Sequence, residues 1–126
     1  MRSIPFFLLG ILFYGCVTDS GDKLPEPKAV SVNNIKAANV VGRSASFTVV
    51  CTVPEPCWRF VRSEITSSGN IVTATMIAQR TTKDPCLQVL VNIDAPATVT
   101  VASAGTYVFK FWRNDGSTVD TTLTIQ

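Results

Sequence analysis

The chain has 126 residues, 46% hydrophobic and 16% charged, with a formal net charge of +2. That length suits one ordinary domain rather than two, and the low charged share argues against long disorder. The basic residues are spread without a dense run, which argues against a nucleic-acid partner. There is no histidine, so a Ser-His-Asp or Cys-His site within the chain is excluded and zinc would need cysteines or carboxylates alone.

Met1-Arg2-Ser3 is a short positive start, followed by an apolar run from Ile4 to Phe13. The run is about a dozen residues, where a spanning helix needs ~20, so it reads as a signal peptide. It closes on Phe13-Tyr14-Gly15-Cys16. A small residue followed by cysteine resembles the end of a bacterial lipoprotein signal, although Phe13 and Tyr14 depart from that pattern. The resemblance implies that residues 1–15 are removed and that Cys16 becomes the lipidated N-terminus, anchoring the chain in a membrane. Val17 in place of an Asp leans toward the outer membrane. Residues 17–28, with Pro25 and Pro27, are polar and read as an extended tether. Residues 29–126 form the domain.

From Ala29 the pattern is strand-like, with turn signals at regular spacing. Ala45, Phe47, Val49, Cys51 and Val53 alternate with more polar residues, a period of two with one apolar face. Pro54-Glu55-Pro56 stops that strand. Trp58 to Ile65 is the next, Ser67-Ser68-Gly69-Asn70 a hairpin turn, and Ile71 to Gln79 the return strand. After a polar loop at 82–85, Leu87, Val89, Val91 and Ile93 alternate. Asp94-Ala95-Pro96 then breaks the run, and Thr98 to Ala102 is a short strand. Thr106 to Arg113 follows, with Tyr107, Phe109 and Phe111 on one face and Val108, Lys110 and Trp112 on the other. Asn114-Asp115-Gly116 is a tight-turn signal, and Val119, Thr121, Leu123 and Ile125 mark the last strand. Seven or eight strands at this spacing predict an all-β fold, an antiparallel β-sandwich.

Gly105-Thr106-Tyr107 with alternating apolar residues after it resembles the strand start of immunoglobulin-like domains. That resemblance implies a tyrosine corner, in which the Tyr107 hydroxyl bonds back to the backbone. Phe109 stands where antibody domains place a cysteine. Of the four cysteines, three remain if Cys16 carries lipid, so one thiol is left over. The residues alone leave Cys57–Cys86 and Cys51–Cys57 both open. Over residues 54–126, Pro56-Cys57-Trp58, Gly69-Asn70-Ile71, Cys86-Leu87-Gln88-Val89 and Gly105-Thr106-Tyr107 resemble a recurring type of small bacterial exported domain. That resemblance implies the Cys57–Cys86 pair, and it carries no activity. Cys51, in the apolar phase of its strand, then reads as a buried thiol.

No phosphate loop, metalloprotease helix or nucleophile elbow is present. The carboxylates sit in turns or at strand ends, which is ordinary turn chemistry. No catalytic residue, metal or cofactor is expected. Arg59, Arg62, Lys110, Trp112 and Arg113 form the candidate binding surface, since Trp beside Arg is a frequent hot spot. The plainer reading packs Trp112 under the 114–116 turn, and Trp58 is expected to cap the core. The function expected is a non-enzymatic, lipid-anchored module of the cell envelope whose partner is an envelope protein or a glycan. A peptidase inhibitor of immunoglobulin-like fold and a carbohydrate-binding domain using Trp112 or Trp58 are the alternatives. A monomer or weak dimer is expected.

Overall fold

Seven strands and no helix make up residues 24–126, the part of the chain that the computed structural model describes. The signal segment, Cys16 and most of the tether lie outside these residues. The strands are β1 (Lys28–Val41), β2 (Ser44–Val53), β3 (Trp58–Ser68), β4 (Ile71–Arg80), β5 (Val91–Thr100), β6 (Gly105–Trp112) and β7 (Thr118–Ile125). The expected all-β class and strand number hold.

The hydrogen-bonded order is β5-β2-β1-β4-β6-β7, with β3 on the other edge of β4. β1 is the hinge of this path. Its first residues, Lys28 to Val30, pair with β4, whereas Ser31 to Val41 pair with β2. Register shifts between Val32 and Asn34 and between Ile35 and Ala37 accompany the crossing, as bulges bend a strand and add twist. One layer is therefore β5-β2-β1, and the other is β3-β4-β6-β7 with the start of β1. Phe47 of β2 packs between Phe109 and Phe111 of β6, at ring-centroid distances of 4.8 and 5.2 Å. These strands are not hydrogen-bonded neighbours, so the contacts span the space between the layers.

The core follows the period-two pattern. Ala45, Phe47, Val49, Cys51 and Val53 are all buried, as are Val72, Ala74, Met76 and Ala78 on β4 and Tyr107, Phe109 and Phe111 on β6. Trp58 is buried among them, its indole N–H donating to Glu55 at 3.4 Å. It caps the core as expected and offers no exposed ring to a glycan. The Tyr107 hydroxyl donates to the Ser103 carbonyl at 2.7 Å, the corner that the resemblance implied.

Two expectations fail. Asp94-Ala95-Pro96 does not break a strand, because β5 runs through it with unbroken pairing to β2. Ala95, Ala97 and Val99 point inward and Pro96 outward. β5 is an edge strand with β2 as its neighbour, so one of its sides forms no ladder, and an edge is where a strand tolerates proline's missing N–H. Residues 85–90 alternate in sequence yet form no strand, and Leu87, Val89 and Leu90 are exposed. A third feature was not visible in the strand pattern: β4 and β6 pair in parallel, while the other pairings are antiparallel. Between them the chain passes up β5 in the opposite layer, which returns β6 in the direction of β4. Parallel neighbours need such a crossover.

The strand directions sort the loops. The 54–57, 81–90 and 113–117 segments lie at the end where β1 begins. The turns at 42–43 and 69–70 and the 101–104 loop lie at the other end. Gly42 and Gly69 occupy those two turns at φ of 57° and 59°, a region that residues with a Cβ seldom adopt.

Candidate binding surface

Cross-strand partners in a sheet project to the same face, so the register places the candidate residues without ambiguity. Ala74 pairs with Phe111 and Val72 with Phe109, and all four are buried. Lys110, paired with Thr73, therefore points outward, and Trp112 shares its phase. On the other side of β4, Arg62 pairs with Ile77 and Arg59 with Gln79. Met76 and Ala78, the intervening positions, face the core. Arg59, Arg62, Lys110 and Trp112 thus share the outward face of the β3-β4-β6-β7 layer. A register shift between Phe60 and Arg62 keeps both arginines in that phase despite their odd spacing. Arg113 stands just beyond β6, at the start of the turn.

The charges on this face are partly matched. Lys110 lies 3.6 Å from Asp120 and Arg62 3.1 Å from Glu64, both exposed pairs of the kind worth at most about 1 kcal/mol. Arg59 donates to the carbonyls of Pro56 and Trp58. Trp112 is half-buried. Ile77 is buried on the outward face, outside the main core cluster. The Arg113 backbone closes the turn through Ser117, and its Nε is buried without a hydrogen-bond partner among the described residues. In the same turn the Ser117 hydroxyl and amide both donate to Asp115. Together with the Arg113 charge they hold its carboxyl below the ordinary value.

The end where β1 begins is tied by the Cys57–Cys86 disulfide, 29 residues apart in sequence. The pairing is the one the exported-domain resemblance implied. Around it, Arg80 donates to the Asp84 carbonyl at 2.7 Å and approaches Glu55 at 3.6 Å, while Thr81 donates to the Cys57 carbonyl through both amide and hydroxyl. Glu55, Cys57 and Cys86 come within 4.8 Å of one another, but the bonded sulfurs supply no thiolate to a metal. Cys51 is the free cysteine among the described residues. Burial, with a smaller push from the Asp94 charge, raises its thiol to about 11, so it is protonated and unreactive at neutral pH.

Two further features escaped the sequence reading. An open groove of about 410 Å³ lies at the opposite end, lined by Ser67, Asn70, Ser103 and Tyr107 among others. It forms where the 69–70 turn meets the 101–104 loop, a proximity that no local pattern reports. Leu87 and Val89 read as strand in the sequence because their alternation with Val91 and Ile93 imitates one, and both, like Leu90, lie in an exposed loop. The signal that could have separated them is Pro85-Cys86 immediately before, which marks a constrained loop.

The layers, the tyrosine corner and the disulfide define a small β-sandwich domain. The family model for the ORF11 beta-sandwich domain matches residues 47–125, from within β2 to the end of β7, and the chain belongs to that family. β1, which joins the two layers, precedes the matched segment. No curated protein and no solved structure matches the chain significantly.

Proposed function

We propose that the chain is an exported, non-enzymatic binding module of the cell envelope, anchored through lipid on Cys16. In this reading it holds its partner on the outward face of the β3-β4-β6-β7 layer. The observation that carries it is the gathering of Arg59, Arg62, Lys110 and Trp112 from two non-adjacent strands onto one face. A half-buried indole sharing one face with cationic side chains has the composition of a contact hot spot, and a rigid sheet holds it without an ordering cost on binding. The disulfide supports export, because such bonds persist in oxidising compartments. The Gly15-Cys16 ending supports the anchor, and Val17 leans toward the outer membrane.

The test is cross-linking in cells of the tagged full-length protein, followed by mass spectrometry, alongside Trp112→Ala and Arg62→Ala variants. A stoichiometric envelope partner that is lost in both variants supports the face. A partner retained by both variants refutes it. Glycan partners are tested in parallel by Trp112 fluorescence, since sugar stacking on the ring perturbs its emission and leaves that of buried Trp58 unchanged.

A further inference from the structure

We propose that the end of the sandwich where β1 begins rests on the membrane, with Leu87, Val89 and Leu90 entering the lipid interface. This rests on the reading of Cys16 as a lipid anchor.

Three of four consecutive residues, Leu87, Val89 and Leu90, are large, apolar and 76%, 51% and 70% exposed. Single exposed apolar residues are ordinary, but a cluster marks a contact surface. The segment is also held in place. The disulfide ties Cys86 to the start of β3, Arg80 grips the Asp84 carbonyl, and the Asp84 amide donates to Thr82. A loop fixed covalently beside the core, with its leucines left outside, presents them to something else.

Position selects the occupant. The chain enters the sandwich at this same end, where Gln79 holds the Pro25 carbonyl at 3.1 Å, and Leu24 is itself 37% exposed. Leu90 shares a shallow groove with Ala29, Val30 and Pro54, so the apolar loop adjoins the start of β1. Residues 17–27 separate Cys16 from β1. Even fully extended, a run of that length reaches at most roughly 36–40 Å, so an anchored bilayer stays within that distance of the loop and at high effective concentration beside it. A weak apolar contact is then populated. Charges here alternate in sign, Lys28 with Glu26, Lys83 with Asp84 and Arg113 with Asp115. The contact is therefore apolar, and it needs no anionic lipid.

The experiment uses the full-length protein matured in cells, purified from membranes and reconstituted into phosphatidylcholine vesicles with or without brominated acyl chains. Tryptophan is introduced as Leu87→Trp or Val89→Trp, and as Ile71→Trp at the opposite end, where Ile71 is 45% exposed. The expected result is bromolipid quenching roughly twofold or more above that of Ile71→Trp, as for a ring at the headgroup–acyl boundary, unchanged in 0.5 M salt. Equal quenching in all three variants, with acylated Cys16 found by mass spectrometry, overturns the docking and leaves the anchor standing. The loop would then be a protein contact. An unmodified Cys16 overturns the anchor reading and the docking with it.

Discussion

Replacing both Cys57 and Cys86 by serine opens a ring of 29 residues' separation that encloses the β3–β4 hairpin and residues 81–85 of the following loop. In the chain-entropy model a ring of this size restricts the unfolded chain by about 3–4 kcal/mol. The native state should survive the loss. The hairpin keeps its ladder, Thr81 keeps its two bonds to the Cys57 position's carbonyl, and Arg80 keeps its hold on Asp84. The effect should therefore appear in stability rather than in structure. With a urea m-value of about 1–2 kcal/mol/M for a domain of this size, the unfolding midpoint should fall by roughly 1.5–4 M. Buried Trp58, next to Cys57, reports the transition by fluorescence, and far-ultraviolet dichroism before denaturant should match the oxidised protein. A loss below about 1 kcal/mol would refute the entropic account. So would disappearance of the β signal without denaturant, because the bridge would then be holding the native state itself.

Phe109→Ala removes a buried ring packed at 4.8 Å from Phe47 and 6.4 Å from Tyr107, and should cost about 3–5 kcal/mol in equilibrium unfolding. Tyr107→Phe deletes the bond to the Ser103 carbonyl and should cost about 1–2 kcal/mol, with local loss of hydrogen-exchange protection in the 101–107 segment. The Cys51 thiol ionises at about 11 in the fold against 9.0 ordinarily, so above pH 9 the unfolded state releases its proton first. Stability attributable to this group is full below pH 9 and falls as pH rises toward 11, by about 2–3 kcal/mol in total. Subtracting the unfolding profile of Cys51→Ala from that of the native chain should isolate the slope, and a flat difference would refute it.

The elements most legible in the sequence were those whose burial repeats every second residue. β2 and β6 carry clean apolar alternation and form as expected, and the Gly69-Asn70 and Asp115-Gly116 turns lie where their backbone freedom is needed. The reading failed at residues 85–96. Leu87 to Ile93 alternate without a neighbour to pair with over their first half, and Pro96 reads as a breaker unless its place on an edge strand is known. Alternation states which face a residue would present if the segment were a strand. Whether a partner strand is available depends on contacts far away in the chain.

The candidate surface divides in the same way. Arg59, Arg62, Lys110, Trp112 and Arg113 were visible as residue types, and the phase of Lys110 and Trp112 against Phe109 and Phe111 was readable along one strand. The union of Arg59, Arg62, Lys110 and Trp112 on one face was not, because it depends on β4 standing between β3 and β6 and on the parallel pairing of β4 with β6. The strand class, the inward residues of β2 and β6, the turns and the exclusion of histidine chemistry follow from side-chain identity and local backbone preference, and so can be read along the chain. Tertiary structure alone decided the crossing of β1 between layers, the strand through Pro96, the outward leucines of the disulfide loop and the shared face. Each of these depends on which distant segments pair and which are left without a partner, and no local pattern carries that information.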